Sequence, residues 1–106
     1  MTETGADMRT ITLEKGLATF LNALSGKNRS SATIRAYQTD IAQFISFLHA
    51  NNVSIHTPAE VEKIDVMEYL SSLAKRELTG IARARKLSAL QEYFRFLELD
   101  DQVFCS

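Results

Sequence analysis

The chain has 106 residues, of which 45% are hydrophobic and 24% charged, with four Gly, one Pro, one Cys and no Trp. That length holds one domain around a single core, and so few backbone breakers exclude a turn-rich sheet protein. The lone Cys105 excludes an internal disulfide and points to a reducing, cytoplasmic setting.

No run approaches the roughly 18 apolar residues of a membrane span. The polar start MTETGADMRT lacks the apolar stretch of a signal peptide. The net charge of −1 conceals segregation. Residues 27–48 and 75–95 hold nine of the twelve basic residues and three of the thirteen acidic ones. Those two segments sum to +6 and the remainder to −7, a distribution that can present one anion-attracting face.

Residues 1–10 are expected to form a flexible tail ahead of a folded region over 11–99. The first periodic segment places Leu13, Leu17, Phe20 and Leu24 on one helical face, with Thr12 as its cap and Gly26 as its stop. A polar link over 25–31 leads to a second helix. Its stripe is Ile34, Tyr37, Ile41, Phe44 and Leu48, widened by Ile45 and Phe47 and closed by Asn51 and Asn52. An extended crossing ends at Pro58.

A third helix over about 60–76 reads as two pieces with Asp65 as a cap between them; Val66, Leu70 and Leu73 point inward beside Tyr69. Thr79 caps a fourth helix of about 20 residues, lined inside by Ala84, Leu87, Leu90, Phe94 and Leu97. Residues 100–106 leave this pattern as an acidic linker. No internal repeat and no strand-like alternation is apparent, so the pattern predicts an all-α protein, a four-helix orthogonal or up-down bundle.

No constellation for catalysis emerges. His49 and His56 stand seven apart with no cysteine or carboxylate at ligand spacing, so no metal is expected. Cys105 has no basic partner to activate it. Glycines at 5, 16, 26 and 80 form no phosphate loop, and Glu60 and Glu62 read as a solvated acidic face. The chain alone is expected to be no enzyme and to need no cofactor.

The informative residues stand at two helix starts. Lys27, Arg29, Ser31, Thr33 and Arg35 surround the start of the second helix. Arg83, Arg85, Lys86, Ser88 and Gln91 follow Thr79 in the fourth. Long cations reach phosphates or guanine edges, and hydroxyls with free helix-start N–H groups bind phosphate oxygens at closer range. With Leu87 taken as the centre of the inward face, Arg85 and Lys86 both fall outside the core stripe, on opposite flanks. From charge and helical phase alone, a helix in a DNA groove and an ordinary solvated surface remain equally open.

The run Ser30-x-x-Thr33-Ile34-x-x-Tyr37-x-x-Asp40-Ile41-x-x-Phe44-x-x-Phe47-Leu48 resembles the first block of the N-terminal core-binding domain of tyrosine recombinases, the phage integrases. The run Ala84-Arg85-Lys86-Leu87-Ser88-Ala89-Leu90-x-x-Tyr93-Phe94-x-Phe96-Leu97 looks like that domain's last helix. Together the two blocks anchor a resemblance over residues 11–99.

The resemblance implies a SAM-like four-helix bundle that forms half of a clamp on double-stranded DNA, its second and fourth helices entering the major groove. It also implies contact of the first helix with a neighbouring recombinase protomer in a synaptic complex. A catalytic domain would follow the linker and carry the tyrosine nucleophile. Carried over, Ser31, Thr33, Arg35, Arg85, Lys86 and Ser88 would meet DNA. This sequence departs from the family pattern at Ile81 and Gln91, usually basic, at Ala82, usually a hydroxyl residue, and at Arg83, more often aliphatic. Those departures leave site preference open. The competing reading is a helical protein-interaction domain whose basic face meets an acidic partner.

Overall fold

The computed structural model describes residues 11–51 and 54–105, with residues 99–105 described by backbone alone. The expected tail over 1–10, Asn52 and the terminal Ser106 lie outside the described residues. Four helices run in order: α1 (Leu13–Gly26), α2 (Ser31–Asn51), α3 (Lys63–Lys75) and α4 (Gly80–Cys105), with a 3-10 turn at Pro58–Glu60. The fold is the expected all-α, SAM-like one, with no strand among the described residues. None of the described helices is long and apolar enough to cross a membrane.

Local chemistry explains the helix boundaries. Thr12 Oγ1 accepts the Lys15 amide at 3.0 Å and opens α1. Ser30 and Thr79 do the same for α2 and α4, accepting the amides of Thr33 and Ala82 at 3.1 Å each. Asp65 is not the expected N-cap: Glu62 holds that position, and Asp65, three residues further on, closes a capping box by accepting the Glu62 amide at 2.7 Å. The third segment is not divided at Asp65: α3 runs unbroken from Lys63 to Lys75, and the 3-10 turn at Pro58–Glu60 precedes it.

Two further boundaries differ from expectation. Gly26 is the last residue of α1, but the reversal comes two residues later, at Asn28 with φ 61°. Glu77 plays the same part after α3, with φ 63°. In each case the amide two residues beyond the cap returns to the carbonyl of the last buried leucine, Arg29 to Leu24 at 3.3 Å and Leu78 to Leu73 at 3.2 Å. The preceding amides close on Ser25 and Ala74, completing a Schellman turn at both sites. The second difference is at the other end: α4 continues to Cys105 instead of stopping near residue 99. Helical backbone persists there without the apolar periodicity that would have announced it.

The two turns expose a repeat that residue identity hides. Leu24, Asn28 and Ser30 match Leu73, Glu77 and Thr79 at a constant offset. Continuing that offset aligns Phe20 with Tyr69, Phe44 with Tyr93 and Phe47 with Phe96. Contacts obey the alignment. Phe20 packs against Tyr93 at 5.9 Å and Phe96 at 5.5 Å between ring centroids. Tyr69 packs against Phe44 and Phe47, both at 5.2 Å. The aromatic on the first helix of each hairpin thus inserts against the second helix of the other, as an approximate two-fold relation requires.

The core lies between α2 and α4, each of which packs on all three other helices. Leu13, Leu17, Phe20 and Leu24 are buried as predicted, and so are Ile41, Phe44, Ile45 and Leu48. On α3 the buried residues are Asp65, Tyr69 and Leu73, with Val66 and Leu70 at the margin.

The inward face of α4 is rotated from the predicted one. Lys86, Ala89, Leu90, Tyr93 and Leu97 are buried, Leu87 and Phe94 are partly covered and Ala84 is exposed. Reading apolar residues alone centred the face on Leu87, because a lysine at the true centre does not register as core. The placement of Lys86 outside the core is corrected accordingly: it retains 7% of its exposure.

Candidate nucleic-acid interface

The first group of expected contact residues surrounds the α1–α2 turn. Lys27 is the C-cap of α1, Arg29 follows the left-handed Asn28, and Ser30 caps α2. Lys27, Arg29, Ser31 and Arg35 are exposed. The three cations form no ion pair among the described residues. Thr33 is half-buried, and its hydroxyl accepts from Ser30 Oγ at 2.9 Å. The first turn of α2 carries no acidic residue, so its unsatisfied amides and neighbouring cations share one sign of potential.

The second group lies on α4. Ser88 and Gln91 are exposed, in phase with Ile81 and Ala84 on the side opposite the buried stripe. Arg83 is half-buried, and its Nε is enclosed without a hydrogen-bond partner. Arg85 keeps 55% of its side-chain exposure while its Nη1 stands 3.1 Å from Asp40 Oδ2 in an ion pair. Lys86 differs from all of these. Its buried ammonium donates to Asp40 Oδ1 at 2.8 Å and to Gln43 Oε1 at 2.6 Å.

The structure therefore brings Arg85 and Lys86 against the middle of α2, through a carboxylate that is only 3% exposed. No hydrogen bond or ion pair joins Lys27, Arg29 or Arg35 to α4 among the described residues. Asp40 and Gln43 were absent from the expected set. A signal for them existed: Asp40 lies three residues after Tyr37 and just before Ile41, inside an apolar stripe, and Lys86 holds a stripe position of opposite sign on α4. Opposite charges at inward positions of two helices specify a buried pair when they face each other.

Two buried phenols flank this seam. Burial, reinforced by the Asp40 charge, pushes the Tyr69 phenol above its ordinary value, while Arg76 opposes the shift. Burial pushes Tyr93 up further, and its hydroxyl donates to the Leu13 carbonyl at 2.8 Å. Both phenols stay protonated at neutral pH. Outside the cationic region, His49 Nε2 meets Glu14 Oε2 at 2.6 Å, and that bond holds the Glu14 carboxyl below its usual range. Among the described residues no three His, Cys, Asp or Glu side chains gather as a metal would require.

The arrangement can bind anions by charge and by helix-start amides. Comparison with known proteins agrees with the fold. The family described as phage integrase, N-terminal SAM-like domain, matches residues 17–100. The tyrosine recombinase XerC of Oceanobacillus iheyensis is 37% identical over 92 residues, which is 86% of this chain and 30% of that protein. The tyrosine recombinase XerD of Bifidobacterium longum is 34% identical over 86 residues, 81% of this chain and 23% of that protein. The XerC of Lacticaseibacillus casei is 34% identical over 90 residues, 84% and 30% respectively. The chain thus spans less than a third of these relatives. No solved structure matches.

Proposed function

The chain belongs to the phage integrase N-terminal SAM-like domain family, and on that premise we propose that it grips duplex DNA for a tyrosine-type site-specific recombinase. The grip is made in the major groove by the starts of α2 and α4, in the cytoplasm. Lys27, Arg29, Ser31, Thr33 and Arg35 contact the backbone from one side; Arg83, Arg85, Ser88 and Gln91 contact it and the base edges from the other. Lys86 serves from inside the fold. Neighbouring recombinase protomers are the further partners, met through α1, and DNA integration or recombination is the process served. Catalysis belongs to the parent enzyme.

One observation carries this reading. Lys27, Arg29 and Arg35 are exposed, and unpaired among the described residues, around a hydroxyl-capped helix start, in a chain whose remaining segments are net acidic. A solvated face evolved only for solubility gains most from interspersed signs; concentrating one sign at helix amides favours a polyanion.

Titrating the isotope-labelled chain with duplex DNA at low salt tests the proposal. Amide shifts are expected at residues 27–35 and 81–91, reversed by added salt because counterion release supplies most of the affinity. Shifts confined to other faces, or none at all, overturn it. Binding to an acidic protein but not to DNA would select the protein-interaction reading.

A further inference from the structure

We infer that Asp40 is a positioning residue for DNA contact: it holds the Arg85 guanidinium in its binding pose at the seam of α2 and α4, while Lys86 neutralises it. This rests on the DNA reading above and adds a division of labour within the cationic surface.

Asp40 is buried, and a buried carboxylate needs a compensating charge. Lys86 supplies it: the lysine is also buried, bonds Asp40 at 2.8 Å and finds a second acceptor in Gln43 at 2.6 Å. That pair is neutral and hydrogen-bonded without Arg85. Arg85 adds an ion pair through one end of its guanidinium, with Nη1 3.1 Å from Asp40 Oδ2, and remains more than half exposed.

The consequence is orientation without loss of charge. Next to a neutral pair, the guanidinium keeps its full positive charge for an incoming anion. A guanidinium has five N–H donors in a fixed fork. One end held beside a buried carboxylate confines the rest, and a side chain already held gives up less freedom on binding. The exposed cations at the α1–α2 turn have no such anchor: Lys27, Arg29 and Arg35 form no ion pair among the described residues.

The test compares the unaltered chain with Arg85→Ala, with the double variant Asp40→Ala/Lys86→Met, and with all three substitutions combined. The double variant removes one charge of each sign, so bulk electrostatics stay the same. Its affinity for duplex DNA at low salt is expected to fall about three- to tenfold, and the triple variant should bind no more weakly than Arg85→Ala. An equal additional loss in the Arg85→Ala background overturns the inference, since Asp40 would then act independently of Arg85.

A second measurement needs neither a variant nor DNA. In the free, unaltered chain the Arg85 guanidinium N–H signals should be resolved by hindered rotation, unlike those of Arg29 and Arg35. Free averaging of Arg85 overturns the inference. The two readings fail separately: if no duplex shifts the unaltered chain, the DNA reading falls and takes this one with it. If duplex binds both folded proteins equally, only the role of Asp40 falls.

Discussion

The α1–α2 and α3–α4 hairpins share a turn, a cap and a reciprocal aromatic insertion, yet they differ in the residues at matching positions. Where the first hairpin has Tyr37, the second has Lys86; where the first has Asp40, the second has Ala89. Tyr37 meets Phe20 edge-on at 5.5 Å, an apolar contact within its own hairpin. Lys86 instead crosses to Asp40 of the other hairpin. Gly16, matched by the capping Asp65, lets α1 approach Tyr93 and Leu97 of α4. Repeated apolar positions build the bundle, and the departures from the repeat fix how the halves dock. Two apolar halves alone would tolerate sliding; a buried pair with directional bonds does not.

The comparison breaks most severely at the buried pair. Lys86→Ala, which leaves Asp40 without its buried counter-charge, should cost about 3–5 kcal/mol in denaturant unfolding. Asp40→Ala/Lys86→Met should recover most of that loss, because neither charge is stranded. A small effect of Lys86→Ala alone would mean that the tie contributes little to docking.

Close approach comes next. A Cβ on Gly16 would lie 3.0 Å from the Tyr93 hydroxyl and 3.3 Å from Leu97 Cδ1. That hydroxyl is pinned to the Leu13 carbonyl, so the neighbour cannot simply step aside. Gly16→Ala should destabilise by about 1–3 kcal/mol despite the better helix propensity of alanine, as thermal unfolding would register.

The shared turn offers a finer probe. Glu77 and Asn28 both occupy left-handed backbone, which costs an ordinary side chain about 1–2 kcal/mol and asparagine less. Glu77→Gly should therefore stabilise by about 1 kcal/mol, and Asn28→Gly by less. Equal gains in chemical denaturation would show that the two turns carry the same strain.

The smallest effect is at Glu14 and His49, whose ion pair is largely exposed. The Glu14 carboxyl is held low mainly by its bond to His49. Its contribution is then present above the ordinary carboxylate value and disappears as pH falls through the lowered one. Glu14→Gln should cost no more than about 0.5 kcal/mol at neutral pH and nothing once the carboxylate is protonated, a difference readable from unfolding curves at the two pH values.

The sequence by itself determined the helices, the caps at Thr12 and Thr79, and the inward faces of α1 and α2, because those follow from periodicity and short-range hydrogen bonds. It also carried the two blocks that identify the family. It did not display the repeat, since matching turns can be built from Asn28 or Glu77 and from Ser30 or Thr79; backbone geometry is kept where identity is not. Nor did it place Lys86. A lysine counts as surface until a carboxylate on another helix faces it, and only the docking of α2 against α4 brings Asp40 there. The burial of that charge, and the anchoring of Arg85 beside it, were decided by tertiary structure, because the free energy of a buried ion depends on partners distant in the chain.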